Sequence, residues 1–351
     1  MPTGKRNKPE AVVLVRFSAL GDVAMAIPVV YDLCLARPEL TVVFLTRIRF
    51  ASLAVNPPTN LVVEGVDLDG YRGASGMMRL AARLCSRYSV KAFIDIHDVL
   101  RTAILRFFMR IRGVKVSVVD KGRADKRLLV ARGAEKYFAE GGRPLPSTIQ
   151  RYRDAVRLAG FTDVKPLFRS LFGAERNSEN EFLIGVAPFA AHRGKVYPVA
   201  RMEEVVVKLS EMPDTKIFLF GAGKEECSIL AEWAHGRPNV VNMASQNVGL
   251  PRELELMSLL DVMLAMDSGN MHLAAVAGTP RIVSVWGATH PAAGFVPFRS
   301  GNDTNDVVSL DLPCRPCSVY GNRQCRYGDY ACLGLLDPEK IISEVIKSGT
   351  N

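Results

Sequence analysis

Several charged residues in this chain stand where an apolar strand gives way to a helix. In RFSALGDVAMAIPV (16–29) a β-branched strand ends, a tight turn holds Gly21, and Asp22 stands where the next helix starts. A carboxylate at the carboxyl edge of a strand could act as general base toward a hydroxyl. Asp is also a preferred helix N-cap, so the residue alone leaves both roles open. Ser18 in the same turn could cap it or touch a ligand.

VMLAMDSGNMHLAAVAGTPRIVSVWG (262–287) repeats the arrangement. Asp267 ends a strand, Ser268 and Gly269 form the turn, and a short helix runs to Gly278. Free N–H groups at such a helix start suit a pyrophosphate. Asp267 reads as the N-cap, and His272 either reaches a phosphate or packs as a core histidine. In APFAAHRGKVYP (187–198), His192, Arg193 and Lys195 follow a strand. Lys195 could neutralise a departing nucleoside diphosphate, or the loop is merely solvated. FLFGAGKEE (218–226) holds Gly221 and Gly223 of a dinucleotide fingerprint, with Glu226 where the third glycine belongs. Glu225 or Glu226 could accept from ribose hydroxyls. A P-loop is absent, because Gly194-Lys195 is followed by Val196 and Phe189 stands where the first glycine would be.

These motifs need a frame that ends strands at one edge. AVVLVRF (11–17), TVVFLTR (41–47), LVVEGVDL (61–68), KAFIDIH (91–97) and VKVSVVD (114–120) read as strands. Helices are expected over 22–36, from Ser75 as N-cap, and from Asp98 as N-cap to a stop at Gly113. A second set of alternating strands and helices begins near residue 181, after the polar stretch GAERNSENE (173–181), the linker candidate. The closing DPEKIISEVIKSG has a helix start and amphipathic spacing. Alternation of this kind predicts parallel sheets covered on both faces. With 351 residues the chain suits two doubly wound domains, with ligands beyond the strands' carboxyl ends in a cleft.

Charge is uneven. Residues 1–170 carry 29 Lys and Arg against 15 Asp and Glu, whereas 171–351 carry 16 against 21, within a net charge of +9. The basic half is expected to meet an anionic partner. No apolar run approaches the roughly 18 residues of a membrane span. MPTGKRNKPE has no small-residue cleavage site after it, so a cytoplasmic protein is expected.

Together, S-x-x-G-D-V near the start and D-S-G-x-x-H-L-A-A near the end resemble the heptosyltransferases of glycosyltransferase family nine, over nearly the whole chain. The resemblance implies an α/β protein of GT-B architecture, with two Rossmann-like doubly wound domains facing a cleft. It implies an inverting transfer, heptose from ADP-heptose to an anionic lipopolysaccharide-core acceptor, with no required cofactor. Residues 1–172 would bind acceptor, 173–336 the nucleotide sugar, and 337–351 would cross back to the first domain. Asp22 would be the catalytic base. Lys195, in K-x-Y-P, would meet the donor phosphates and Glu225 the ribose, while Asp267, Ser268, Gly269 and His272 would line pyrophosphate and sugar. The acceptor side would hold Ser18, Gly21, Asp95, His97, Arg101, Lys121 and Arg123. Many members carry Thr or Ser where Ala190 and Ala191 stand, and Gln-Gly where His97 and Asp98 stand.

A basic first half then suits a phosphorylated acceptor or the cytoplasmic leaflet of the inner membrane. Arg101, Arg106, Arg110 and Arg112 share one predicted helix, and KGRADKR (121–127) adds four cations. Phe107 and Phe108 between them could touch lipid or pack in the core. Nucleic acid is not an expected partner, for no aromatics interleave with the cations. Cys34, Cys85 and Cys227 fall in predicted helices as small core residues. Cys314, Cys317, Cys325 and Cys332 cluster, and their spacing is open to packing, a structural zinc or a disulfide. The alternative function is an NAD(P)-dependent oxidoreductase with twin Rossmann-like domains.

Overall fold

A computed structural model describes residues 8–173 and 181–347. In chain order the first half forms β1 (Glu10–Val15), α1 (Leu20–Ala24), α2 (Ile27–Ala36), β2 (Thr41–Arg47), β3 (Leu61–Val66), α3 (Gly73–Arg87), β4 (Ser89–Asp95), α4 (Leu100–Ile111) and β5 (Lys115–Val118). Three helices follow, α5 (Arg123–Arg132), α6 (Ala134–Ala139) and α7 (Thr148–Leu158). The second half forms β6 (Phe182–Ala187), α8 (Val199–Ser210), β7 (Thr215–Leu219), α9 (Gly223–Ala234), β8 (Val240–Asn242), α10 (Leu250–Leu259), β9 (Val262–Met266), α11 (Gly269–Ala277) and β10 (Arg281–Val285). It closes with β11 (Thr304–Val308), α12 (Ala331–Gly334) and α13 (Pro338–Ile346).

Both sheets are parallel, in the order β3-β2-β1-β4-β5 and β11-β10-β9-β6-β7-β8. The expected fold class is therefore the one observed: two Rossmann-like α/β units of the GT-B type. Strands β1 and β9 are apolar at successive positions because helices cover both their faces; Ala11–Val15 and Val262–Met266 are wholly buried. No helix among the described residues is long and apolar enough to cross a membrane.

The chain divides into two compact units. One holds the described residues up to Lys121 with Thr148–Phe168; the other holds Gly122–Ser147 and the described residues from Arg169 on. This differs from the expected boundary at 172. Residues 122–147 join the second unit because Ala134 N–H donates to Arg315 O (2.7 Å) and Leu145 N–H to Ala292 O (2.9 Å). Leu129, Tyr137 and Leu145 pack with Ala292 and Ala293 there. Of the tail expected to cross back to the first domain, residues 337–347 are described and are counted with the second unit. Helix α13 packs on α8, β10 and β11, its Ile341, Ile342 and Val345 inside the second core. Arg281 donates to the carbonyls of Glu344 (2.5 Å) and Val345 (3.1 Å). Apart from Gly173 and Glu181, the linker candidate lies outside the described residues.

Local starts differ from expectation where backbone geometry overrides propensity. The helix expected over 22–36 is interrupted between Ala24 and Ile27. Helix α3 starts at Gly73 with Arg72 as N-cap, which leaves Ser75 inside it. Asp98 sits at φ +46°, and Val99 is the N-cap of α4, its N–H donating to Thr102 Oγ1 (3.0 Å).

Within the first unit, the carboxylate of Asp32 on α2 is buried. It accepts from the N–H groups of Leu167 and Phe168 (both 2.7 Å) and from Arg153 on α7 (3.1 Å). Removing it strands a half-buried guanidinium and two amides. Asp32→Ala is expected to cost about 3 kcal/mol of unfolding free energy, read from urea melts; an unchanged midpoint would refute this account of how residues 167–168 are held.

Candidate active site

In the first sheet strand order reverses between β1 and β4, so the segments leaving these strands meet at an open edge. Arg16 and Phe17 leave β1; Ile96 and His97 leave β4. Asp22 falls in the first turn of α1 rather than at its N-cap, which is Ala19. Its Oδ2 accepts from Ala19 N–H (3.1 Å) and pairs with Arg16. Oδ1 has no partner among the described residues, and the side chain is 24% exposed. One oxygen is thus anchored while the other stays open to a hydroxyl. Arg16, which the motif reading passed over, is buried; its Nη1 donates to Ile96 O (2.9 Å) and its guanidinium lies over the Tyr152 ring.

Asp95, expected on the acceptor side, points into the protein. It is wholly buried and already committed, accepting from the N–H groups of His97 and Asp98 (both 2.8 Å) and pairing with Arg106 (2.6 Å). Its work is to shape the turn that presents His97. That imidazole is buried and accepts from Phe17 N–H at 3.5 Å. Burial pushes its pKa down to about 3, with the cations of Arg16, Lys121 and Arg47 adding to the effect. Lys121 Nζ donates to Asp98 O (3.1 Å). Arg101 is half-buried in the first turn of α4; Ser18 is partly exposed in the turn after β1 and Gly21 partly exposed in the first turn of α1. Arg123 lies exposed at the start of α5, which is counted with the second unit.

In the second sheet the reversal falls between β6 and β9. It brings together the two loops that carry the phosphate-binding candidates. Lys195 ends a short 3-10 turn, Arg193–Lys195, and its Nζ lies 2.9 Å from Asp267 Oδ2. Thr289 Oγ1 donates to that same oxygen at 2.7 Å. The N-cap of α11 is Ser268, not Asp267 as expected, since Asp267 turns aside to hold Lys195. Ser268 Oγ is buried with no hydrogen-bond partner among the described residues. Gly269 opens the helix and His272 is buried one turn on. Glu226 accepts from Ala222 N–H (2.7 Å) as a cap of α9, which leaves Glu225 exposed as the ribose candidate.

The cysteine-bearing segment braces these loops. Arg315, between Cys314 and Pro316, is buried, and its Nη2 donates to Trp286 O (3.2 Å) and Thr289 O (3.1 Å). Ala288 N–H donates to Gly194 O (2.8 Å), and Ala288 O accepts from the N–H groups of Cys317 and Ser318. A Cβ on Gly194 would come within 2.8 Å of Gly321 O, so only glycine fits before Lys195. Cys314, Cys317, Cys325 and Cys332 line one cavity of about 270 Å³. All seven cysteines are free thiols, and among the described residues no group of three His, Cys, Asp or Glu is placed to hold a metal. Burial pushes the Cys332 thiol up to about 11, against the pull of Arg315.

No sequence signal marked Thr289 or Arg315, whose roles depend on loops distant in the chain. Arg16 carried one, as a cation closing an apolar strand. A buried histidine held neutral has a pH consequence. Between the ordinary pKa of 6.5 and about 3 the unfolded chain binds a proton that the folded chain does not, so stability falls as pH falls through that window. His97→Gln should therefore reduce the loss between pH 7 and pH 5 by about 1–2 kcal/mol, measured by denaturant midpoints; equal losses in both proteins would contradict it.

The sequence matches the family described as Glycosyltransferase family 9 (heptosyltransferase) over residues 77–328. No curated protein gives a significant match. Among solved structures, the chain is similar to the glycosyl transferase family 9 protein from Veillonella parvula DSM 2008, at 17% identity and TM-score 0.71 over 98% of this chain and 97% of that one. It is similar to E. coli ADP-heptose lps heptosyltransferase II at 19% identity and TM-score 0.65, over 95% and 97%. For E. coli heptosyltransferase WaaC with ADP the values are 16% and 0.61, over 85% and 92%. The alternative of a nicotinamide-dependent oxidoreductase finds no support. With both switch points carrying their expected motifs and the family match spanning most of its length, the chain belongs to glycosyltransferase family 9, the heptosyltransferase family, and is a glycosyltransferase.

Proposed function

We propose that this enzyme is an inverting heptosyltransferase that takes heptose from ADP-heptose and passes it to an anionic glycolipid of the lipopolysaccharide core. The observation that carries the donor side is the start of α11. There Lys195 is held by Asp267, itself fixed by Thr289, beside a buried Ser268 hydroxyl with no partner among the described residues and the free amides of a helix N-terminus. A fixed cation, a spare donor and unsatisfied N–H groups suit a diphosphate. Two E. coli proteins of the same fold support the choice of nucleotide, one solved with ADP and one described as an ADP-heptose transferase.

In the proposed reaction Asp22 takes the proton of an acceptor hydroxyl, and that oxygen attacks the anomeric carbon from the face opposite the nucleotide. The bond between that carbon and the β-phosphate oxygen breaks. Lys195, Ser268 and the α11 amides take up the charge on departing ADP. Arg16 keeps Asp22 aligned through its paired oxygen and leaves Oδ1 for the acceptor. Glu225 binds the ribose, and His272 lines the donor. Arg101 and Lys121 meet the acceptor's anionic groups, with His97 a neutral hydrogen-bonding partner. No step is routed through a metal or cofactor. A lipid acceptor places the enzyme at the cytoplasmic face of the inner membrane.

Asp22→Asn should abolish transfer while ADP still raises the melting temperature; a rate near that of the unaltered enzyme would remove Asp22 from the mechanism. Lys195→Met should lower kcat by about a hundredfold. Thermal stabilisation by ADP and ADP-sugars, with none by NAD or NADP, is expected of the folded protein. The reverse pattern would overturn the donor assignment.

A further inference from the structure

Helix α4 is apolar on two opposite sides. Thr102, Leu105 and Met109 face the first core. Leu100, Phe107 and Ile111 are 80%, 58% and 65% exposed. At about 100° per residue, positions 100, 107 and 111 fall within roughly 20° of one direction. They form a single outward stripe, directed away from Leu105 and Met109. A helix apolar on both sides ordinarily has neighbours on both.

The flanks of this stripe are cationic. Arg101 and Arg110 lie on opposite sides of it, and Arg112 caps the helix end. Neighbouring α3 adds an exposed Arg79 beside an exposed Met78. Arg83 and Arg87 are occupied by Glu64, and Arg106 by Asp95 and Asp98. Arg79, Arg101, Arg110 and Arg112 have no carboxylate partner among the described residues. No acidic residue occurs from 70 to 94 or from 99 to 119. A second copy of the chain docking through the same stripe would bring these like charges together, which disfavours it.

We infer that the outer face of α4 is the surface by which this protein seats on an anionic bilayer. Leu100, Phe107 and Ile111 enter the headgroup boundary while the flanking guanidinium groups meet lipid phosphates. The inference rests on the proposed lipid acceptor and names the surface that brings the enzyme to it.

The test is co-sedimentation of the full chain with vesicles of phosphatidylcholine alone and of phosphatidylcholine with phosphatidylglycerol. The unaltered protein should bind the anionic vesicles, less so as salt rises. Leu100→Ser with Phe107→Ser and Ile111→Ser should weaken that binding by at least about tenfold. Arg110→Glu with Arg112→Glu should do so by a similar factor. Urea midpoints should stay constant, because these side chains face outward. Equal binding to neutral and anionic vesicles, or variants that bind like the parent, would overturn the inference. A stripe variant that changes oligomeric mass, or a basic face that retains nucleic acid, without vesicle binding, would reassign the surface to that partner. If ADP fails to stabilise the protein, the donor assignment falls and the vesicle result still judges the surface.

Discussion

The reversal of strand order in each sheet is the constraint on which the site depends. Connections leave β1 and β4 in opposite directions, and likewise β6 and β9, so no crossover covers the carboxyl ends of those strand pairs. Backbone amides and the side chains just beyond the strands are left to face one another there. The neighbours Arg16, Asp22 and His97 arise at one reversal. Lys195, Asp267 and Ser268 arise at the other. In both, a charge is fixed by an ion pair while a polar atom beside it has no partner among the described residues.

Fixing charge in this way follows from how little water reaches these residues. Asp267 and Arg16 are buried, so each needs a counter-charge or several hydrogen-bonding groups to be tolerated. Lys195 and Thr289 supply this for Asp267; Asp22 and the Ile96 carbonyl supply it for Arg16. The same burial among cations keeps His97 neutral, so the first unit offers a hydrogen-bonding ring among permanent positive charges. Such an environment favours an anionic ligand without needing another proton.

Support for the donor side comes from far along the chain. Arg315 holds carbonyls of the 286–289 loop, and Gly321 packs against the Gly194-Lys195 turn. The cysteine-bearing segment therefore acts here through its backbone and one guanidinium. Burial that raises the Cys317 and Cys332 thiols makes them weak nucleophiles and suits them to packing.

The sequence by itself determined the alternation of strands and helices, the two-unit α/β class, and the placing of Asp22, Lys195 and Asp267 just beyond strands. Each of these is local, written in a period of apolar residues and a turn a few residues long. Tertiary structure decided which of the marked residues are available. Asp95 is buried and bonded to Arg106 and two amides, and Asp267 looked like a cap until Lys195 was found against it. It also decided that residues 122–147 and α13 belong with the second core, and it supplied Thr289 and Arg315 to the site. The physical reason is that burial and pairing depend on contacts between segments distant in the chain, and no spacing along one segment records them.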